Sequence, residues 1–334
     1  MTYLITGGAG FIGSNYLHYV VNKYPNDNFI CLDALTYAGN FNNIISLLDK
    51  PNLKFINCDI RDIDSVNKVF DENEIDCVVN FAAESHVDNS IKNPNIFADT
   101  NVIGTMVLMN AARNHGNIRY HQVSTDEVYG DLPLDRPDLK FKETTPIHAS
   151  SPYSASKAGA DLQVLAYYRT FGLPITISRC SNNYGAYQFP EKLIPVVISK
   201  ALKNEQIPIY GKGENVRDWI HVHDHNVGVD MIVRYGKEGE IYNLGGHAER
   251  TNIEMVKTIL KQLNKPESLI TFVQDRAGHD RRYAIDSTKA EKELGWNRSY
   301  TFDEGIKETI NWYVDNQDWI EDIKSGAYKN SYKK

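Results

Sequence analysis

Two stretches of the chain carry side chains able to move protons. In Ser124-Thr125-Asp126-Glu127-Val128-Tyr129-Gly130 a hydroxyl and two adjacent carboxylates follow the run Tyr120 to Val123, whose composition predicts a strand with a polar tip. Beyond a strand end, neighbouring side chains leave in different directions, so Asp126 and Glu127 can serve two atoms of one substrate, one as acid and one as base. Taken alone, these residues also fit a solvated turn. The second stretch opens at Ser150-Ser151-Pro152, a helix start with proline suited to the first turn. Tyr153 and Lys157 follow at i and i+4 and share one helical face. A tyrosine hydroxyl with a pKa of about 10 must drop by roughly 3 units, about 4 kcal/mol, to act as a base near neutral pH. A lysine ammonium beside it pushes in that direction.

Side chains of this kind need a rigid frame, and the N-terminus supplies one. Thr2 to Thr6 reads as a short strand running into Gly7-Gly8-Ala9-Gly10-Phe11-Ile12-Gly13 and then a helical pattern to Lys23. Glycines at 7, 10 and 13 suit a tight turn, close approach of backbone to a pyrophosphate, and close packing of helix on strand. The helix N-terminus then faces the phosphates. A second strand, Phe29 to Leu32, ends in Asp33, placed to bind ribose hydroxyls and to repel a 2'-phosphate, which favours NAD over NADP. A positive nicotinamide ring would also help to lower the Tyr153 hydroxyl.

Strands and helices then alternate: Leu53 to Asn57, a helix to Asn73, Cys77 to Phe81, a helix from about Pro94 to His115, Tyr120 to Ser124, and Leu173 to Cys180. The expected fold is α/β, a Rossmann-type doubly wound parallel sheet with a smaller C-terminal α/β substrate-binding domain. Residues 1–180 form the first unit, with parts of about 216–246 returning to it through Ile241 to Leu244; 181–215 and 247–330 form the second. The expected dinucleotide set along the strand ends is Gly7, Gly10, Phe11, Ile12, Gly13, Asp33, Leu35, Thr36, Asp59, Ile60, Phe81, Ala82, Ala83, Ser85, Thr100, Asn182, Tyr153 and Lys157. The polar, proline-bearing stretch 131–150 reads as a loop over the site.

His221, His223 and His225 alternate around Asp224, which reads as the N-cap of a helix to Tyr235, so no metal is expected. Arg276 and the run Asp280-Arg281-Arg282-Tyr283 fit either a solvated face or an anion site. Phe302 to Asn316 reads as an amphipathic helix, and the tail after Lys324 as loosely ordered.

Composition narrows the class. With 36 Lys+Arg against 43 Asp+Glu, the net charge is -7, which argues against nucleic acid or an anionic membrane as partner. Four cysteines without a C-x-x-C pair suit buried thiols in the cytoplasm. No export signal or membrane span is expected.

Beyond these motifs, the chain resembles the extended short-chain dehydrogenase/reductases and, within them, the dTDP-glucose 4,6-dehydratases. The resemblance rests on Asp33-Ala34-Leu35-Thr36-Tyr37-Ala38-Gly39-Asn40, Ala83-Glu84-Ser85-His86-Val87-Asp88, Thr125-Asp126-Glu127-Val128-Tyr129-Gly130, Pro190-Glu191-Lys192-Leu193-Ile194-Pro195 and His279-Asp280-Arg281-Arg282-Tyr283. Ala34 stands where a lysine is usual, and Ala186 where a proline is. The resemblance implies that Tyr153, held by Lys157, deprotonates the carbon-4 hydroxyl, with Thr125 bonded there. Glu127 then removes the carbon-5 proton and Asp126 protonates the leaving carbon-6 hydroxyl. It further implies a sugar nucleotide, dTDP-glucose, held by Ser85, His86, Thr125, Asn183, Glu191, Lys192, Pro208, Tyr210, Arg217, Asn252, Asp280, Arg281, Arg282 and Tyr283. A homodimer paired through the helices around Asn101 to His115 and Ala155 to Phe171 is expected. A UDP-sugar 4-epimerase of the same fold, a 4,6-dehydratase of another nucleotide sugar, and a non-catalytic NAD-sensing regulator are the alternatives.

Overall fold

A computed structural model describes residues 1–275 and 278–333; Arg276 lies outside them. The strands are β1 (Thr2–Thr6), β2 (Asn28–Asp33), β3 (Leu53–Asn57), β4 (Cys77–Asn80), β5 (Arg119–Thr125), β6 (Ile175–Cys180), β7 (Asn182–Tyr184), β8 (Ile207–Tyr210), β9 (Val216–His221), β10 (Ile241–Leu244), β11 (Glu249–Thr251) and β12 (Ile270–Val273). Seven of them form one sheet in the order β10-β6-β5-β4-β1-β2-β3, and every pairing in it is parallel. This is the doubly wound sheet that the alternation of strands and helices predicts. β4 and β6 are buried along their whole length, as strands covered on both faces must be.

Side chains alternate between two cores. Tyr3 and Ile5 point to the face covered by the helices Phe11–Lys23 and Val222–Tyr235, where Leu17, Val20, Val229 and Ile232 lie. Leu4, Val78 and Ile177 point to the other, covered by Val66, Leu108 and Val164 of the helices Ile63–Glu72, Thr105–Asn114 and Pro152–Phe171. The chain winds outward from β1 to β3 and then crosses back to β4. The switch point therefore falls between β1 and β4, and a crevice opens there beyond the strand ends. The helix expected from about Pro94 to His115 is present, but Ala98–Gly104 within it is wound as a π-helix.

The smaller unit contains a three-stranded sheet, β11-β9-β7, and the parallel pair β12-β8. Its core joins Ile194 and Val197 to Met255, Ile259, Ile306 and Ile310. The chain passes between the two units more than once. β9 stays with the three-stranded sheet, whereas β10 pairs with β6 at the edge of the large one. Ala290 and Trp296, expected in the second unit, belong to the core of the first, because the Trp296 indole donates to the Asp224 carbonyl at 3.0 Å.

Two further expectations are corrected. The helix Val222–Tyr235 is capped at His221, not Asp224. Asp224 sits in its first turn, where a carboxylate is favoured, and accepts from the Ser299 and Tyr300 backbone amides. Within the tail after Lys324, expected to be loosely ordered, Ala327–Lys333 is a 3-10 helix and Tyr328 is buried. Among the described residues no helix is long and apolar enough to cross a membrane.

Candidate active site

A cavity of about 350 Å³ occupies the crevice at the switch point. Gly7, Gly10, Phe11, Ile12, Gly13, Asp33, Thr36, Asp59, Ile60, Phe81, Ala82, Ala83, Ser85, Thr100, Tyr153, Lys157 and Asn182 all line it. Its walls suit a dinucleotide. Gly7 has φ +67, and a Cβ there would lie 2.6 Å from the Ala82 nitrogen; one on Gly13 would lie 2.3 Å from the Gly7 carbonyl oxygen. Only glycines let the turn fold this tightly under a ligand. The helix Phe11–Lys23 has no side-chain cap at Gly10 and no acid in its first turn, so its first amide groups are left for an anion. The Asp33 carboxylate accepts from the Ala9 amide at 2.9 Å and the Leu35 amide at 2.8 Å, which fixes it at the end of β2 with lone pairs to spare for ribose hydroxyls. Burial raises its pKa, and the two amide bonds counter that.

Leu35, expected against the dinucleotide, does not line the cavity. Its part is the hydrogen bond that its backbone N–H donates to the Asp33 carboxylate, made from a left-handed backbone at φ 51. Sequence reading missed Tyr37, Arg61, Glu84, Gln188 and Phe189, which also line the cavity. Arg61 had a signal in its neighbour: its guanidinium clamps Asp59 at 2.6 Å and holds that carboxylate below its usual range. Gln188 lies between elements, in a stretch whose pattern says nothing of its position.

β5 ends at Thr125, whose side chain caps a single 3-10 turn, Asp126–Tyr129, by accepting from the Glu127 amide at 3.2 Å. The turn sends the two carboxylates apart. Glu127 lines the cavity, while Asp126 is 1% exposed beneath it and does not. Burial, then the neighbouring Glu127 and Asp218 charges, raises the Asp126 pKa well above its ordinary value, which favours the protonated acid. Tyr153 enters in the first turn of the helix Pro152–Phe171, set by a capping box between Ser151 and Ser154. The Thr125 hydroxyl hydrogen-bonds the Tyr153 side chain and lowers its pKa, but burial and the Glu127 carboxylate outweigh this and hold it well above 10. Lys157 is itself held below its usual range by burial, and its ammonium donates to the Val123 carbonyl at 2.8 Å. Within the protein alone, desolvation dominates the Tyr153 hydroxyl.

A second cavity of about 420 Å³ adjoins the first and shares Glu127, Asn182, Asn183, Gln188, Glu191 and Lys192 with it. His86, Pro208, Tyr210, Arg217, Asn252, Asp280 and Tyr283 line it as expected of a sugar-nucleotide site; Ser85 and Thr125 face only the first cavity. His86 caps the helix Val87–Lys92, its Nδ1 accepting from the Asn89 amide, so the proton rests on Nε2, 3.7 Å from Glu191. Lys192 reaches across to the Ser85 carbonyl at 3.0 Å. The Arg217 guanidinium stacks over the Tyr283 ring at 4.2 Å.

Arg281 and Arg282 line neither cavity, a correction to their expected role. Arg281 pairs with Asp131 at 3.0 Å on the surface. Arg282 is 3% exposed, pairs with Glu249 at 2.7 Å and donates to the carbonyls of Arg136, Pro137 and Leu139. It fastens the loop 131–150, which is also held by bonds from the Leu132 amide to the Arg282 carbonyl and from the Phe141 amide to the Ala284 carbonyl. In the run 280–283, the outer two side chains face the cavity and the two arginines between them face away, which a run of charges conceals. No metal-holding group of side chains occurs among the described residues. The His221 ring lies 4.0 Å from that of Tyr300, tilted by 30°, and His225 is buried in the helix Val222–Tyr235.

Comparison with known proteins agrees with this geometry. Residues 4–309 match the GDP-mannose 4,6 dehydratase family. A dTDP-glucose 4,6-dehydratase of Escherichia coli is 48% identical, with 99% of this chain and 97% of the relative covered. The crystal structure of dTDP-glucose 4,6-dehydratase from Bacillus anthracis, in complex with NAD, superposes with a TM-score of 0.90 at 47% identity, covering 97% of this chain and 99% of that one. For DesIV, the dTDP-glucose 4,6-dehydratase of Streptomyces venezuelae solved with NAD, the TM-score is 0.93 at 43% identity, with 97% and 100% covered. Fold, paired cavities and overall likeness converge: the chain belongs to the dTDP-glucose 4,6-dehydratases.

Proposed function

We propose that the chain is a hydro-lyase converting dTDP-glucose to dTDP-4-keto-6-deoxyglucose and water. The observation that carries this reading is Glu127, whose carboxylate stands at the junction of the two cavities with Tyr153 on one side and buried Asp126 on the other. Gly7, Gly10, Gly13, Asp33 and Asp59 would hold NAD. When bound, NAD supplies the transient acceptor for the hydride that leaves carbon 4 and returns to carbon 6, together with a positive ring that favours tyrosinate. Tyr153 takes the proton of the carbon-4 hydroxyl while Thr125 and Lys157 fix its position. The resulting ketone acidifies carbon 5; Glu127 removes that proton and, after exchange with solvent, gives one back to carbon 5 when carbon 6 is reduced. Asp126, which lines neither cavity but lies in the chain between Thr125 and Glu127, which do, is kept protonated by burial and is the proton source for the carbon-6 hydroxyl, which leaves as water. A 4-epimerase has no use for such a pair.

Substrate deuterated at carbon 4 tests the reading. The label should appear in the new carbon-6 methyl group, with solvent hydrogen at carbon 5, by mass and proton NMR spectra. Label returned to carbon 4 with the carbon-6 hydroxyl intact would make the chain an epimerase; unchanged sugar would make it a regulator.

We also propose a homodimer. Ile103, Leu162 and Phe171 are exposed on the helical layer expected to pair, and apolar side chains there gain from burial against a second copy. Sedimentation equilibrium at micromolar concentration should give twice the chain mass; monomer alone would sink the proposal. A cytoplasmic setting is supported by four free, buried cysteines. The division of labour proposed is that the seven-stranded unit binds the dinucleotide and the smaller unit the sugar nucleotide.

A further inference from the structure

We propose that the segment from the helix Gln317–Ser325 through the 3-10 helix Ala327–Lys333 forms a strap that holds the dinucleotide in its cavity, with Tyr328 as its positioning residue. The inference rests on the cofactor reading above.

The segment 34–40 forms one wall of that cavity through Ala34, Thr36, Tyr37, Ala38 and Gly39, yet it belongs to no strand or helix. A backbone without a ladder of its own opens at little cost unless something else holds it. Three residues of the tail, Tyr328, Tyr332 and Trp319, make contacts that hold it or the residues flanking it. The Tyr328 hydroxyl donates to the Tyr37 carbonyl at 2.6 Å. Its ring packs edge-on against Phe189 at 6.1 Å, and Phe189 in turn packs edge-on against Tyr37 at 5.8 Å, so one tyrosine braces two cavity-lining residues. Beyond it, Tyr332 closes a triangle of rings with Phe41 and Phe55, each 5.2 Å away.

The third contact reaches the glycine turn. Trp319 donates to the Asn43 side-chain oxygen at 2.8 Å, and the Asn43 amide group donates to the Ala9 carbonyl at 2.9 Å. The Asn40 backbone amide donates to that same carbonyl at 3.0 Å. The Ala9 amide, in turn, is the one that holds Asp33. One C-terminal segment thus fastens the phosphate turn, the ribose carboxylate and the loop between them. A dinucleotide leaving past the segment 34–40 must first detach it from Tyr328.

This arrangement suits the chemistry, because a hydride borrowed from one sugar must return to the same sugar. A cofactor that exchanged in mid-cycle would strand the intermediate.

The test is the exchange rate of bound NAD, followed by displacement with excess labelled NAD from the purified, loaded protein. Tyr328→Phe removes one hydrogen bond and keeps the ring, and should speed exchange roughly 3–10-fold. A chain ending at Ser325 loses the ring contacts as well and should exchange faster by roughly 100-fold or more. Proteolytic cleavage within 34–40 should rise in step. The unfolding midpoint of Tyr328→Phe separates a strap from general stability: a strap speeds exchange in protein that remains folded, whereas a merely structural residue shifts the midpoint and leaves exchange alone. Exchange from Tyr328→Phe at the unaltered rate would overturn the proposal, whether or not the shortened chain folds. Failure of the unaltered protein to retain NAD at all would overturn the cofactor reading itself.

Discussion

Tyr153→Phe should stop the reaction at its first proton transfer, with turnover falling roughly 10²–10⁴-fold. The expectation follows from what surrounds the hydroxyl. It is bonded to Thr125, stands beside the Glu127 carboxylate, and is raised by burial well above 10, so the protein invests in placing one hydroxyl where it is hard to ionise without a positive partner. Phenylalanine keeps the ring and its edge-on contact with Phe97 but has no proton to exchange. Because carbon 5 becomes acidic only once carbon 4 is a ketone, incubation with dTDP-glucose in deuterium oxide should leave carbon 5 of the recovered sugar unlabelled. Deuterium at carbon 5 in this variant would show that the ketone forms without Tyr153.

Glu127→Gln should depress turnover over a similar range, roughly 10²–10⁴-fold, by a different route. Glutamine matches the shape of the carboxylate at the junction of the cavities but cannot accept the carbon-5 proton. Oxidation at carbon 4 should survive, and absorbance of the reduced nicotinamide should build up on mixing with substrate, whereas in Tyr153→Phe it should not. Removal of the charge beside Tyr153 also takes away one cause of its raised pKa, so the first step is, if anything, eased. Normal turnover by Glu127→Gln would remove this carboxylate from the mechanism.

How far the sequence foretells the molecule depends on whether a feature is local. Gly7 to Gly13, Asp33 and the spacing of Tyr153 and Lys157 act within a turn or a helix, where spacing dictates geometry, and they line the first cavity together. Asp126 and Glu127 were readable as a pair leaving a strand end, but not as one carboxylate beneath the floor and one upon it, since burial is decided by the helix packed behind them. Arg282 and Arg281 misled because charge suggests a ligand, while the contacts that use these guanidinium groups come from Glu249, Asp131 and the loop carbonyls, remote in sequence. The tail misled for the opposite reason. Its lysines and tyrosines look solvated until a second surface, built by residues 37–55, is supplied for the rings.

The placement of β10 has a consequence for synthesis on the ribosome. β6 is buried on both faces, but until the four-residue β10 pairs with it, β6 is itself the edge of the large sheet, with a row of unpaired amides and carbonyls. Residues 181–240 lie between the two strands, and they build parts of the other unit before the chain returns. At about 5–20 residues per second, roughly 60 residues take about 3–12 s to translate. For that interval the nascent sheet offers an edge to any neighbouring chain, and overexpression, which crowds such chains together, should send this protein into aggregates by way of β6.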